Sequence, residues 1–245
     1  MGIGLAVRVR QFISLGVLGG IGAVSGAGFA ATQMPAHAPP GQDSARTILV
    51  IGDSLSAELG LVRGTGWVKL LADRVATKAP QYSVANASIS GETSSGGRTR
   101  IPGLLSEYHP AVVVIELGAN DGLRGLSVDA MRTNLQSMID SCRGAHAQVL
   151  LVGMHVPPNF GAAYDARFYG VYSELAQRNR VRLVPFLLEG FAEQLDWFQA
   201  DHIHPQARAE PRMLDNVWPV LAPMLVSTAA ARSSALPRSA LPTIS

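Results

Sequence analysis

The chain has 245 residues, 47% of them apolar and 16% charged, which allows one or two domains with a sizeable core and excludes disorder throughout. The formal charge of +2 does not indicate a nucleic-acid binder. Of the 20 basic residues, Arg8 and Arg10 stand in the first thirty without an acidic partner, leaving 18 basic and 18 acidic groups in balance beyond them. A lone cysteine, Cys142, excludes an internal disulfide, a cysteine zinc cluster and an iron–sulfur centre.

Residues 1–31 pass from Arg8 and Arg10 through the uncharged stretch Phe12–Ala31. Small residues follow, with Gly28-Phe29-Ala30 or Ala36-His37-Ala38 as candidate cleavage ends. That is the order of a signal peptide and implies a periplasmic or secreted protein. The alternative is an uncleaved membrane anchor, since about twenty apolar residues span a bilayer. No cysteine stands near residue 30, so lipid attachment there is excluded. Residues 32–45, with Pro35, Pro39, Pro40 and Gly41, read as a linker.

Thr47–Ile51 is a short apolar run closed by Gly52 and predicts a buried strand. Trp67, Leu70, Leu71 and Val75 recur at helical spacing, and Tyr82–Ala87 reads as a second strand. Ala111–Leu117 is β-branched and bounded by Pro110 and Gly118, the clearest strand of all. Val128, Met131, Leu135, Met138 and Ile139 form a helical stripe. Strands at Gln148–Val152 and Val181–Val184 flank a helix near Asp165–Asn179, and a last helix covers Arg208–Leu225, broken or kinked around Pro211 and Pro219. Residues 227–245 are Ala, Ser and Pro with few charges and predict a disordered tail. Short strands alternating with helices predict one α/β domain over 46–226, a three-layer α/β/α sandwich around a five-stranded parallel sheet.

Ligands of such sheets bind outside the carboxyl ends of the strands. Each of those ends carries polar residues: Gly52-Asp53-Ser54-Leu55-Ser56, Asn86–Thr93 and Gly118–Gly122, with Asp201–Pro205 just before the last helix. Ser54, expected between a strand and a helix, is a candidate nucleophile, which needs a base within hydrogen-bond reach. His204 suits the base, and Asp201, three residues earlier, can orient it. The backbone N–H groups of Ser54 and Gly91 and the Asn120 amide are candidate oxyanion donors. Each part alone has an ordinary reading: a helix N-cap for Ser54, turns for Gly91 and Asn120, a surface loop for His204. Their joint order and strand-end placement favour the chemistry.

The blocks Gly-Asp-Ser-Leu-Ser at 52–56, Asn-Ala-Ser-Ile-Ser-Gly at 86–91, Glu-Leu-Gly-Ala-Asn-Asp-Gly-Leu-Arg-Gly at 116–125 and Asp-x-Ile-His-Pro at 201–205 resemble those of the SGNH (GDSL) hydrolases. The likeness is strongest to their bacterial periplasmic branch of acyl-thioesterases, arylesterases and lysophospholipases, and it runs over about 47–225. The resemblance implies a flavodoxin-like sheet, no metal, no cofactor, a catalytic Ser54, Asp201 and His204, and an oxyanion hole of Ser54, Gly91 and Asn120. It also makes His155–Tyr164 the loop beside the acyl pocket, with Val156, Pro157, Pro158 and Phe160 as substrate-binding residues. Two departures stand out: Ala119 where the family usually has Gly, and His202 in place of a small residue, commonly Gly, before Ile203. His202 is a rival base, but its spacing does not fit the block.

Other residues read more plainly. His109 and His146 are loop residues, His155 lines the pocket, Asp53 is structural and Cys142 packs as a small apolar residue. Gly26-x-Gly28-x-x-Ala31 follows no strand and is not a dinucleotide fingerprint. The Gly-x-Ser-x-Gly elbow is absent, because Ser56 holds its last position. The expected function is a serine hydrolase of small-molecule acyl esters and thioesters, lysophospholipid among them, acting as a monomer without nucleic acid. The alternatives are a secreted carbohydrate O-deacetylase and a non-catalytic binding module on the same fold.

Overall fold

A computed structural model describes residues 46–233, with side chains to Leu225. The signal-like segment, the linker and residues 234–245 of the expected tail lie outside the described residues. Five strands, β1 (Arg46–Gly52), β2 (Tyr82–Asn86), β3 (Val112–Glu116), β4 (Gln148–Val152) and β5 (Arg182–Val184), form one parallel sheet in the order β2-β1-β3-β4-β5. Helices α1 (Trp67–Lys78), α2 (Ser94–Tyr108), α3 (Ala119–Leu123), α4 (Val128–Gly144), α5 (Ala162–Asn179) and α6 (Glu210–Ser233) connect and follow them. α1 and α6 pack together on one face, and α2, α4 and α5 cover the other. Both faces of β1 and β3 are therefore dry, which explains why their sequences read as unbroken apolar runs instead of alternating ones. The expected α/β sandwich is the observed one.

Three elements depart from the sequence reading. The first is α2, which no periodicity announced. Gly96, Gly97, Pro102 and Gly103 dilute its pattern, and only Ser94, Gly97, Ile101 and Leu105 are buried along it. Gly97 is a contact surface: a Cβ there would lie 2.3 Å from Leu117 Cδ1, so its absence lets α2 settle on the core. Thr93 starts the helix by accepting the Gly96 N–H. The second is the segment after Ser54. It is a run of turns, held by Ala57 N–H to Asp53 and Leu59 N–H to Ser54 carbonyls, and regular helix begins only at Trp67. Positive φ at Glu58, Gly60 and Gly64 keeps the intervening chain out of a helix. The third is α6, which runs unbroken through Pro219 and Pro223 and reaches Ser233, beyond the expected start of the tail. Pro211 stands in its first turn, where the missing N–H costs nothing. Burial of Met213, Leu214, Val217, Leu221 and Met224 holds the rest, and Ala229–Ala231 carry high helix propensity.

Among the described residues no helix is long and apolar enough to cross a membrane.

The start of α1 is held from α6. Gly66 at the N-cap has no side chain to offer, and the Trp67 N–H donates instead to Glu210 Oε2 at 2.7 Å. Burial pushes the Glu210 carboxyl from its ordinary 4.5 up to about 7, against the Trp67 bond and with the charge of Glu58 adding. The folded protein thus keeps a proton that the unfolded chain has lost between these values. The stability this contributes is complete below pH 4.5 and is lost as pH rises through about 7. Glu210→Gln keeps an acceptor for Trp67 and cannot ionise. Its melting temperature is expected to lie close to that of the parent at pH 4.5 and exceed it by about 7–14 °C at pH 8. Parallel pH profiles for the two proteins would contradict this.

Candidate active site

In this strand order the crossovers change direction between β1 and β3, and ligands bind at that switch point. The turn after β1 presents Ser54 and the start of α3 after β3 presents Asn120. Gly52 lets the first turn fold back, since a Cβ there would lie 2.6 Å from Glu116 Oε2 and 2.7 Å from Ser56 Oγ.

Ser54, 8% exposed, donates its hydroxyl to His204 Nε2 at 2.9 Å. His204 Nδ1 donates to Asp201 Oδ2 at 2.6 Å. The other oxygen of Asp201 accepts the Ile203 and His204 N–H groups, each at 3.0 Å. Burial alone would raise the Asp201 carboxyl, but these backbone and ring hydrogen bonds outweigh it and hold the group at about 2. Asp201 is therefore ionised at neutral pH, as an acceptor for an imidazolium must be.

His202 is exposed and stands in a left-handed backbone, φ +57°. This explains why Gly is common at the position, and His takes it at a cost of about 1–2 kcal/mol. Ala119 is the opposite case. The positive φ falls on Gly118, at +121°, where a Cβ would meet Tyr172 Oη at 2.2 Å, and Ala119 starts α3 with ordinary helical backbone.

Asn120 donates one amide N–H to Asp53 Oδ2 at 3.0 Å, which leaves the second N–H of the NH₂ group to meet a ligand. Asp53 also accepts the Leu55 N–H, and burial pushes its carboxyl up to about 6 against these two bonds. The structural reading of Asp53 is thus specific: it aims Asn120. The N–H groups of Ser54 and Gly91 have no acceptor among the described hydrogen bonds. They stand ready as donors, as an oxyanion hole requires.

The loop residues divide. Val156, expected against substrate, is only 6% exposed and fills the space beside Gly122, where a Cβ would lie 2.6 Å from Val156 Cγ1. It packs against α3. Pro157 and Phe160 are half-buried and Pro158 is exposed, with Phe160 stacked 5.9 Å from Tyr164. His155 pairs with Asp165 at 2.8 Å and lies flat on Tyr169 at 4.2 Å, outside the Ser54 cluster. Asp165 also accepts the Val156 N–H, so this pair clasps the loop to α5. His109 and His146 occupy left-handed turn positions, and burial pushes the Cys142 thiol up to about 12, an inert packing group.

Three supports had not been expected. Glu116, fully buried at the end of β3, accepts the Ser56 hydroxyl at 2.7 Å and the Asp53 N–H at 3.3 Å. It thus grips both sides of Ser54. Burial, with Asp53 adding, pushes its carboxyl well above the ordinary range. An acidic residue closing a β-branched run is the sequence signal that could find it. Gln199 ties the two halves of the site, donating to the Leu59 carbonyl at 2.8 Å and the Pro205 carbonyl at 3.0 Å. Gln206 donates to the Phe198 carbonyl at 2.6 Å and closes the His204 loop. Neither glutamine has a sequence signal. A groove of about 420 Å³ between α1 and α6, lined by Leu70, Arg74, Lys78, Pro211 and Leu214, contains none of these residues. Among the described residues no three His, Cys, Asp or Glu side chains gather to hold a metal ion.

Residues 50–210 match the GDSL-like Lipase/Acylhydrolase family. The chain is 51% identical over 184 residues to the esterase TesA of Pseudomonas aeruginosa, covering 75% of this chain and 92% of that one. It is 38% identical over 182 residues to thioesterase 1/protease 1/lysophospholipase L1 of Escherichia coli K12, covering 74% of this chain and 86% of that one. A crystal structure of TesA superposes with a TM-score of 0.72 at 51% identity, covering 73% of this chain and 99% of that one.

Proposed function

Because the chain belongs to the GDSL-like lipase/acylhydrolase family and is an ester hydrolase, we propose that it works through an acyl-enzyme on Ser54. The observation that carries this reading is the continuous chain from Ser54 Oγ to His204 at 2.9 Å and on to Asp201 at 2.6 Å. Ser54 Oγ attacks the acyl carbonyl as His204 Nε2 takes its proton, and the Asp201 carboxylate stabilises the imidazolium. The negative charge that develops on the carbonyl oxygen is met by the N–H groups of Ser54 and Gly91 and the amide of Asn120. His204 then protonates the departing alkoxide or thiolate, leaving the acyl group on Ser54. A water loses its proton to the same His204 and attacks the acyl carbonyl, and Ser54 leaves with that proton as the carboxylic acid is released. Charge is created and removed inside a preset frame of donors, so little reorganisation is needed at each step.

The substrates are acyl esters and thioesters, lysophospholipid among them. The apolar surface of Pro157, Pro158 and Phe160 beside α3 and α5 supports an acyl chain over a sugar. On this reading the enzyme is monomeric and works in the periplasm or beyond it, since residues 1–31 have the order of a signal peptide. The test is hydrolysis of p-nitrophenyl esters of increasing length, beside an acyl-CoA and a lysophospholipid. kcat/KM is expected to rise by about tenfold or more from acetyl to medium-chain esters, because each buried methylene is worth about 0.8 kcal/mol. Activity confined to acetyl esters would contradict an acyl-chain enzyme and support a deacetylase.

A further inference from the structure

The two outer donors of the oxyanion hole come from different elements: the Gly91 N–H from the segment after β2, and the Asn120 amide from α3. Donors on separate elements act together only if held within about 0.5 Å of a common aim. Gly91 is poorly placed to hold itself, with φ at +78° and no side chain to pack. The base of its segment is secured by Arg100, which donates to the Ala87 carbonyl at 2.6 Å and pairs with the Glu92 carboxylate. Beyond that base, Arg124 reaches the Gly91 peptide directly, donating to the Gly91 carbonyl at 2.8 Å.

Arg124 is the C-cap of α3, the five-residue helix that carries Asn120, and its own N–H donates to the Asn120 carbonyl at 3.2 Å. One residue thus bonds through its backbone to the carbonyl of Asn120 and through its side chain to the carbonyl of Gly91. We propose that Arg124 is a positioning residue for acyl transfer, holding the Gly91 N–H in register with the Asn120 amide. This rests on Gly91 and Asn120 serving as the oxyanion donors. Arg124 touches no reacting atom. Its guanidinium bonds the Gly91 carbonyl and leaves the N–H unengaged, and its exposure means that its removal leaves the core intact.

The test compares Arg124→Ala, Arg124→Lys, Asn120→Ala and the Arg124→Ala/Asn120→Ala double variant on a soluble, uncharged p-nitrophenyl ester. Arg124→Ala is expected to lower kcat by about 10- to 100-fold, with KM within about twofold and an unchanged melting temperature. Arg124→Lys, which keeps one donor, restores part of the loss. Asn120→Ala lowers kcat by about 10²–10³. In that background Arg124→Ala adds less than about threefold, because the two act on one oxyanion. An unchanged kcat in Arg124→Ala, a loss confined to KM, or full multiplication of the two losses overturns the positioning role. An unchanged kcat in Asn120→Ala overturns the oxyanion reading itself, and the positioning role falls with it.

Discussion

Ser54→Ala is expected to lower kcat for p-nitrophenyl butyrate by about 10⁴- to 10⁶-fold while leaving the far-ultraviolet spectrum unchanged and the melting temperature within about 4 °C of the parent. The size follows from the chemistry: without the hydroxyl no acyl-enzyme forms, and only the donors and binding remain to assist a water. The unchanged fold follows from the packing. The substitution deletes one oxygen and one hydrogen bond, a net loss of about 1 kcal/mol, and leaves the Glu116 grip on Asp53 and Ser56 in place. A variant that keeps more than about a hundredth of the parent rate would remove Ser54 from the mechanism.

His204→Ala is the second large effect, a loss in kcat of about 10⁴- to 10⁶-fold on the same ester. Ser54 and His204 work as one unit, so the double variant is expected to be no slower than either single one, within about threefold. The loop should survive. Its backbone is held by Gln199 N–H to the His204 carbonyl at 2.7 Å and Gln206 N–H to the Trp197 carbonyl at 2.8 Å, and neither bond uses the imidazole. His202→Ala is the matching control, with kcat unchanged because that ring points to solvent. Losses that multiply in the double variant, or a large loss in His202→Ala, would show that the proton follows another route.

What could be read from the sequence was local. Ser54, Gly91, Asn120, Asp201 and His204 each follow a strand or precede a helix within a few residues, and a strand end is visible as an apolar run that stops. The parallel topology then brings those ends to one edge, so adjacency in space needed no further information. What could not be read depends on partners far apart in the chain. Gln199 and Leu59 are separated by 140 residues and Trp67 and Glu210 by 143, and no spacing announces such pairs. α2 escaped for a related reason: its fit depends on Gly97 against Leu117 and Met138, and an absent side chain leaves no periodicity. The close packing of Val156 on Gly122 is likewise a tertiary fact that an apolar residue in a loop does not reveal.

His202 shows the same boundary from the other side. In the sequence it is a second imidazole beside the expected base, with no means of choosing between them except the motif. In the structure His202 is exposed in a left-handed backbone, while the Asp201 carboxylate, bonded to two successive N–H groups, fixes His204 against Ser54. The choice of base is made by the shape of a turn.

The most direct test is to treat the purified protein with a fluorophosphonate and locate the adduct by peptide mass spectrometry. One phosphonyl group on Ser54, accompanied by full loss of esterase activity, is the predicted result. An adduct on Ser56, Ser90 or another residue, or an active enzyme that takes no adduct, would contradict the central claim that Ser54 carries the acyl group.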